Sequence, residues 1–256
     1  MRSAWKSDQG LVRENNEDAV RADEAHGIFL LADGMGGGPG GEVASELAVS
    51  AAHDTLVRLL PDHPEAEIGR VLAEALSAAH SAVAKRALAD QALEGMGTTL
   101  EIVVVRGKTA FICHVGDSRV YLFRHGTLRQ VTSDDNYAAA IAARGQVPVD
   151  QIPAAYRHIL TQAVGLSDEL VPELRALPLE QEDLLLICSD GLNEALDDAE
   201  IGALLSRNRP EIAAMAEQLI RAANDRGGPD NVSIVVIDPL PLGSPALTLL
   251  PEVRRH

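Results

Sequence analysis

Three times in this chain an apolar run ends in an aspartate flanked by glycine: Ala32-Asp33-Gly34, Val115-Gly116-Asp117 and Ser189-Asp190-Gly191. A fourth aspartate, Asp230, opens the last apolar run within Gly228-Pro229-Asp230-Asn231, and Glu17-Asp18 precedes an early one. Each alone is an ordinary turn. Jointly they suggest a site, because the core strands of one domain present their ends along shared rims. Carboxylates that converge repel one another strongly unless a cation neutralises them. Oxygen-only ligation selects a hard divalent ion such as Mg²⁺ or Mn²⁺. So many carboxylates suit more than one ion, as in two-metal hydrolytic sites. Arg13, in the loop Gly10-Leu11-Val12-Arg13-Glu14-Asn15-Asn16-Glu17-Asp18, is the one cation beside these acids. A planar guanidinium next to a carboxylate–metal centre is suited to hold two oxygens of a phosphate, so a phosphoester substrate follows.

The elements that must position these groups follow from period and punctuation. Strands are expected at 3–10, 19–22 and 28–32, the last delivering Asp33 to its end before the glycine-rich stretch Gly34 to Gly41. A helix over 42–60 is stopped by Pro61, and an alanine-rich helix over 65–90 is broken by Gly95 and Gly97. The β-branched runs at 98–105, 109–115 and 120–123, joined by short turns, predict an antiparallel meander. Residues 134–165, with Pro148, Pro153 and several alanines, look like an inserted helical flap. A buried strand at 184–188, helices at 198–207 and 210–225 and a strand at 232–237 complete the series. From Pro239 the pattern loses its period, and 239–256 is expected to be a loosely attached extension of a single domain, 1–238. His114, mid-strand before Gly116, reads as a packed core histidine, and nothing in the sequence supports a role for His158.

Composition narrows the function classes. The 256 residues are 46% hydrophobic and 23% charged, as expected of a globular chain with a well-buried core. A formal charge of −16 opposes nucleic-acid binding and attachment to anionic membranes. There is no basic-then-apolar leader and no apolar stretch of about 18 residues, so a cytoplasmic protein is expected. Cys113 and Cys188 both sit in apolar runs and read as buried thiols in a reducing compartment.

At this point a family resemblance becomes specific. Gly10-x-x-Arg13-x-x-x-Glu17-Asp18, Ala32-Asp33-Gly34-Met35-Gly36-Gly37, Gly97-Thr98-Thr99, Gly116-Asp117-Ser118-Arg119, Ser189-Asp190-Gly191 and Asp230-Asn231-Val232-Ser233 resemble, in order, the motifs of the metal-dependent protein serine/threonine phosphatases of type 2C, in their bacterial form. The match runs over about residues 3–238. The resemblance implies an α+β fold, a four-layer α-β-β-α sandwich of two antiparallel sheets flanked by helices. It implies two Mn²⁺ or Mg²⁺ ions and a weaker third. Asp33 would bridge the pair, the Gly34 carbonyl would help bind one ion, and Asp190 and Asp230 would complete the ligands of the other. Glu17 and Asp18 would act directly or through water, Asp117 would help hold the third ion, and Arg13 would bind phosphate. A water acidified by two ions would attack phosphorus in line. The implied partners are phosphoserine and phosphothreonine proteins and a cognate Ser/Thr kinase, and a monomer is expected.

Two positions depart from the family's patterns. Met35 stands where eukaryotic members often carry histidine, which leaves the leaving-group acid unassigned. Asp134-Asp135-Asn136-Tyr137 stands where relatives often read Asp-His-Ser, so substrate preference at the flap is open. Two rival readings are weaker. Gly36-x-Gly38-x-x-Gly41 matches a dinucleotide fingerprint, but a second helix follows where a parallel strand is required. A non-catalytic, phosphoprotein-binding member of the fold would have lost metal aspartates, and here Asp18, Asp33, Asp190 and Asp230 are all present.

Overall fold

Strand alternation generates the architecture. In the computed structural model, which describes residues 1–35, 40–145, 147–148, 151–207 and 211–240, β3 (Ile28–Met35) is buried on both faces. Phe29 and Leu31 point to one side and Ile28, Leu30 and Ala32 to the other. A strand with two apolar faces needs a layer on each. One face meets the helices α1 (Gly41–Leu59) and α2 (Ile68–Ala89), through Ala44, Ala48, Leu56, Leu72 and Leu76. The other meets a second sheet.

The sheet containing β3 has the order β2-β3-β5-β6-β9, with β2 (Asp18–Asp23), β5 (Leu100–Arg106), β6 (Thr109–Val115) and β9 (Glu173–Pro178). The short β4 (Gly97–Thr98) pairs with the end of β3. The second sheet has the order β1-β11-β10-β7-β8, from β1 (Arg2–Asp8), β11 (Val232–Asp238), β10 (Leu184–Cys188), β7 (Arg119–Arg124) and β8 (Thr127–Gln130). All pairings are antiparallel. Between the sheets Phe29, Leu31, Val103 and Ile112 face Val120, Leu122, Ile187 and Val235. The outer face of the second sheet is covered by α4 (Asp190–Ala195), α5 (Asp198–Arg207) and α6 (Ile212–Asp225), through Leu192, Ile201, Met215 and Leu219. The four layers expected from the family resemblance are thus present.

Several elements differ from the expectation. Strand β3 continues through Met35, because Gly34 and Met35 pair with Thr98 and Gly97. Asp33 therefore lies within a strand, opposite Asp18, rather than beyond its end. The expected three-stranded meander stops after two. Gly116, at φ +118°, breaks the ladder, and the chain crosses from β6 in one sheet to β7 in the other. The sequence reading omitted β8, β9 and α4. Strand β8 follows a two-residue turn in which His125 and Gly126 both have positive φ, the primed geometry of tight hairpins. Strand β9 is a largely exposed edge strand without an apolar alternation to read. The flap carries one short helix, α3 (Tyr137–Ala143), capped by the Asn136 side chain on the Ala139 amide. Cys113 and Cys188 are free and buried as expected. Glycines 36–38 of the dinucleotide-like pattern, flap residues 146, 149 and 150, position 210 at the start of the last expected helix and the extension from 241 lie outside the described residues. Among the described residues no helix is long and apolar enough to cross a membrane.

Ile187 sits fully buried between the sheets. Ile187→Ala is expected to cost about 2–5 kcal/mol and to lower the melting temperature by on the order of 10 °C. Leu88→Ala, at a position 89% exposed, should leave it within about 2 °C.

Candidate metal centre

Strand ends and the crossings between sheets converge on one cleft of about 320 Å³, lined by Arg13, Glu17, Asp33, Gly34, Asp117, Asp190 and Asp230. Asp33 is fixed through its backbone. Its amide donates to Thr99 Oγ1 at 2.9 Å, and its carbonyl accepts from the Thr99 amide at 2.9 Å and from Thr98 Oγ1 at 2.8 Å. Thr99 Oγ1 in turn lies 2.9 Å from Ser118 Oγ. The Gly97-Thr98-Thr99 motif thus acts as a clamp that leaves the Asp33 carboxylate free to face the cleft. Asp18 lies behind the cleft wall, where one carboxylate oxygen accepts from Ser189 Oγ at 2.8 Å. Its other oxygen is buried without a partner, as is Asp190 Oδ1.

Glycine allows the close approaches that bring these groups together. A Cβ on Gly34 would lie 2.1 Å from the Gly41 carbonyl oxygen and 2.6 Å from that of Glu17. One on Gly191 would lie 2.1 Å from the Asn231 carbonyl oxygen. Asn231 closes the loop on the other side: its side-chain oxygen accepts from the Glu17 amide at 2.8 Å, and its Nδ2 donates to the carbonyls of Gln9 and Asn15. This tie holds the Arg13 loop against the start of β11. Arg13 Nη2 donates to Asp230 Oδ2 at 2.5 Å and is half exposed at the mouth of the cleft.

The electrostatics are those of unrelieved negative charge. Burial, then the charges of Asp18, Asp190, Asp117 and Asp230, push the Asp33 carboxyl well above the usual range. Burial and the neighbouring Asp117, Glu194 and Asp230 do the same at Asp190. Burial raises Asp18 to about 6 against the pull of Ser233 and Ser189, and burial with Asp134 nearby raises Asp117 to about 6. The donor set consists of carboxylate and backbone oxygens with partnerless lone pairs, which fits hard divalent cations. No three of Asp18, Asp33, Asp117, Asp190 and Asp230 bring one oxygen each within 4.8 Å of one another, so the set is spread more widely than a single ion requires.

Beneath the Asp117 loop, His114 and Glu101 form a fully buried pair, and His114 Nε2 also contacts the Ser133 carbonyl at 2.8 Å. Burial alone would lower the His114 imidazole, but Glu101 raises it to about 9; burial raises Glu101 to about 7 despite His114. His114 is thus the core histidine expected, and it is ion-paired. Asp135 ties this layer to the flap, accepting from the Gly116 amide at 3.0 Å and from Gln162 Nε2 at 2.7 Å. Arg119 is fully engaged, binding Asp134 with two nitrogens at 2.9 and 2.7 Å.

Arg13, Glu17, Asp33, Gly34, Asp117, Asp190 and Asp230 therefore line this cleft, and Asp18 lies just behind it. Thr99, Ser189 and Asn231 stand within the motifs read from the sequence but had no role there; Glu194 was not singled out, and no place was given to His158, which lines the cleft from the flap. A hydroxyl beside two of the motif aspartates, Ser118 after Asp117 and Ser189 before Asp190, was the available signal for the supporting groups, whereas Thr99 lies 66 residues along the chain from the Asp33 it holds.

A four-layer α-β-β-α sandwich with a cleft of convergent, unneutralised carboxylates defines a protein built to bind divalent cations. Residues 9–232 match the family model of protein phosphatase 2C. The chain is 39% identical over 238 residues to the serine/threonine protein phosphatase PstP of Mycobacterium tuberculosis, a match covering 93% of this chain and 45% of that protein. It is 34% identical over 237 residues to protein phosphatase PhpP of Streptococcus pneumoniae, covering 90% of this chain and 94% of that one. The crystal structure of the catalytic domain of PstP in complex with two manganese ions superposes with a TM-score of 0.80 at 40% identity, over 93% of this chain and 97% of that one. The chain spans about half the length of the curated mycobacterial relatives it matches. It belongs to the protein phosphatase 2C family.

Asp33 stands among the charges of four other aspartates, so replacing it tests the centre without cations. In chelator, Asp33→Asn is expected to raise the melting temperature by a few degrees, since each kcal/mol is about 2–4 °C here, and to remove most of the further rise that Mn²⁺ gives the native protein. The pH dependence has a definite sign. The unfolded-state value for Asp is about 3.8, and Asp18 and Asp117 stand near 6 when folded. Their contribution is thus fully present below pH ~4 and is lost as pH rises through about 6. The metal-free melting temperature should fall between about pH 4 and 6, and a rise across that window would contradict the assignment.

Proposed function

We propose that this chain is a metal-dependent phosphoprotein phosphatase that hydrolyses phosphoserine and phosphothreonine. The observation that carries the reading is the convergence of Asp33, Asp190 and Asp230 on one cleft, with partnerless buried oxygens and a single guanidinium, Arg13, at its mouth. The cleft would hold two Mn²⁺ or Mg²⁺ ions, with Asp33, the Gly34 carbonyl, Asp190 and Asp230 as the groups that would bind them. Glu17 and Asp18 would act directly or through water, and Asp117 would help hold a weaker third ion. When bound, the ions supply an acidified water as nucleophile and neutralise charge on the phosphoryl group.

The chain's own residues do the rest. Arg13, paired with Asp230 Oδ2 at the mouth of the cleft, is positioned to take phosphate oxygens in place of that partner. Asn231 and the Thr98-Thr99 clamp hold the loop and the carboxylates in place, so little reorganisation accompanies the reaction. The buried thiols of Cys113 and Cys188 are pushed up by burial, to about 12 at Cys113 and further at Cys188. A cysteine nucleophile therefore has no part in the reading. The relatives' names support serine/threonine phosphoproteins as the substrate class. A cognate Ser/Thr kinase, a cytoplasmic location and a monomeric state are parts of the same proposal. A catalytically weak binding protein of this fold is the lesser reading, because no metal aspartate has been replaced.

A phosphothreonine peptide should be hydrolysed only with Mn²⁺ or Mg²⁺ present. Asp33→Ala and Asp190→Ala should each reduce kcat by at least about a thousandfold, and Arg13→Ala should act mainly by raising KM. Turnover in chelator, or full activity in both aspartate variants, would remove the two-metal reading.

A further inference from the structure

Strands β8 and β9 are edges of the two sheets, and they stand beside one another on one side of the sandwich. Every second residue of an edge strand turns its N–H and C=O outward. Strand β9 pairs with β6, and among the described residues nothing pairs with its other side. Its middle residues, Leu174, Arg175 and Ala176, are exposed.

The pleat of β9 sends alternate side chains toward two cavities of unlike chemistry. Leu174 and Ala176, in register with Cys113 and Phe111, face the α2 side. There a cavity of about 290 Å³ is lined by Ala66, Gly69, Leu72 and Phe111. Arg175 and Leu177 face the other way, toward a cavity of about 440 Å³ between β9 and β8. Arg129 of β8 lines the same space, since its register partner Leu122 points between the sheets. Arg175 is paired with Glu173, which also accepts from the Ser133 amide at 2.8 Å. Among the described residues the Arg129 guanidinium has no hydrogen bond or ion pair.

We propose that the open edge of β9 is a docking site for an extended segment of a partner protein, one in which acidic residues alternate with apolar ones. Added as a further strand, such a segment exchanges main-chain hydrogen bonds with β9 and sends its side chains alternately to the two cavities. Its apolar side chains lie beside Leu174 and Phe111, and its acids lie beside Arg129 and Arg175, where guanidinium and carboxylate match. The overall charge of −16 is screened beyond about 8 Å at physiological salt, so the two guanidiniums set the local preference. A second copy of the chain is a poorer occupant, because its Glu173 is already engaged and brings no free carboxylate to Arg129. Neither cavity shares a residue with the lining of the metal cleft, so the site stands apart from the phosphatase reading.

The test is fluorescence anisotropy of the full chain with a labelled peptide, Thr-Val-Glu-Leu-Glu-Val-Thr, beside amide hydrogen exchange of residues 173–177. The peptide should bind with a dissociation constant on the order of 100 µM or below and should slow exchange of the outward β9 amides at least about fivefold. A peptide with lysine for both glutamates, and one of the same composition without alternation, Thr-Glu-Glu-Val-Leu-Val-Thr, should each bind at least about tenfold more weakly. Arg129→Glu should weaken binding of the first peptide to the same degree. So should Gly69→Leu, which fills the apolar cavity: a Cβ at Gly69 meets nothing within 4 Å, and leucine is the better helix former, so the melting temperature should not drop. No binding up to about 1 mM, equal binding of the lysine peptide, or affinity unchanged in both variants overturns the site. Outward β9 amides protected without peptide also overturn it, giving the edge to another segment of the chain if the protein sediments as a monomer and to a second copy if as a dimer. Binding is read without turnover, so a protein that binds the peptide and hydrolyses nothing would lose the phosphatase reading and keep this site.

Discussion

Mutual repulsion among buried carboxylates is the constraint on which the structure of this protein turns. Asp18, Asp33, Asp117 and Asp190 are all held with their carboxyls raised, first by burial and then by neighbouring carboxylates. Left to itself that arrangement opposes folding, because each group would sooner face water. The fold resists it with two apolar sheets packed face to face and a helical layer over each. Backbone hydrogen bonds keep the crowded strands in register, and the hydroxyls of Thr99, Ser118 and Ser189 support them from behind. Free energy from the core is thus set against a local electrostatic cost, and a cation that binds only the folded state returns part of it.

The sequence made the centre easier to read than the elements around it. Asp33, Asp117 and Asp190 stand out because each breaks an apolar run beside a glycine, a pattern visible without any knowledge of pairing. Their exact positions were not legible. Asp33 looks like a strand terminus because the apolar run stops at Ala32, whereas the strand continues as Gly34 and Met35 pair with Thr98 and Gly97, 64 and 62 residues away. The same non-local pairing defeated the meander. Nothing in the run from Leu100 to Phe123 says that Gly116 carries the chain from one sheet to the other. Edge strand β9 has no periodicity to find, since it packs on one neighbour and is mostly exposed.

His158 is the instructive omission. Taken alone in the flap, it is one more exposed histidine. Its meaning depends on α4, which is itself invisible as a helix because six residues containing Asp, Gly and Asn have poor helical propensity. Once α4 forms, the spacing of Asp190 and Glu194 puts both on one face, and the bridge between residues 136 and 160 brings His158 over them. A pattern split between a short helix and an insertion can only be recognised after folding.

Asp190 then joins two environments of different chemistry. On one side it faces Asp33 and Asp230, all oxygen and suited to hard ions. On the other it faces an imidazole and a second carboxylate. A single side chain thus forms part of both walls, so a displacement of α4 that moves it on one side moves it on the other as well. The flap reaches both sides, since His158 lines the inner cleft as well as the outer cavity, while contributing no aspartate to the inner one.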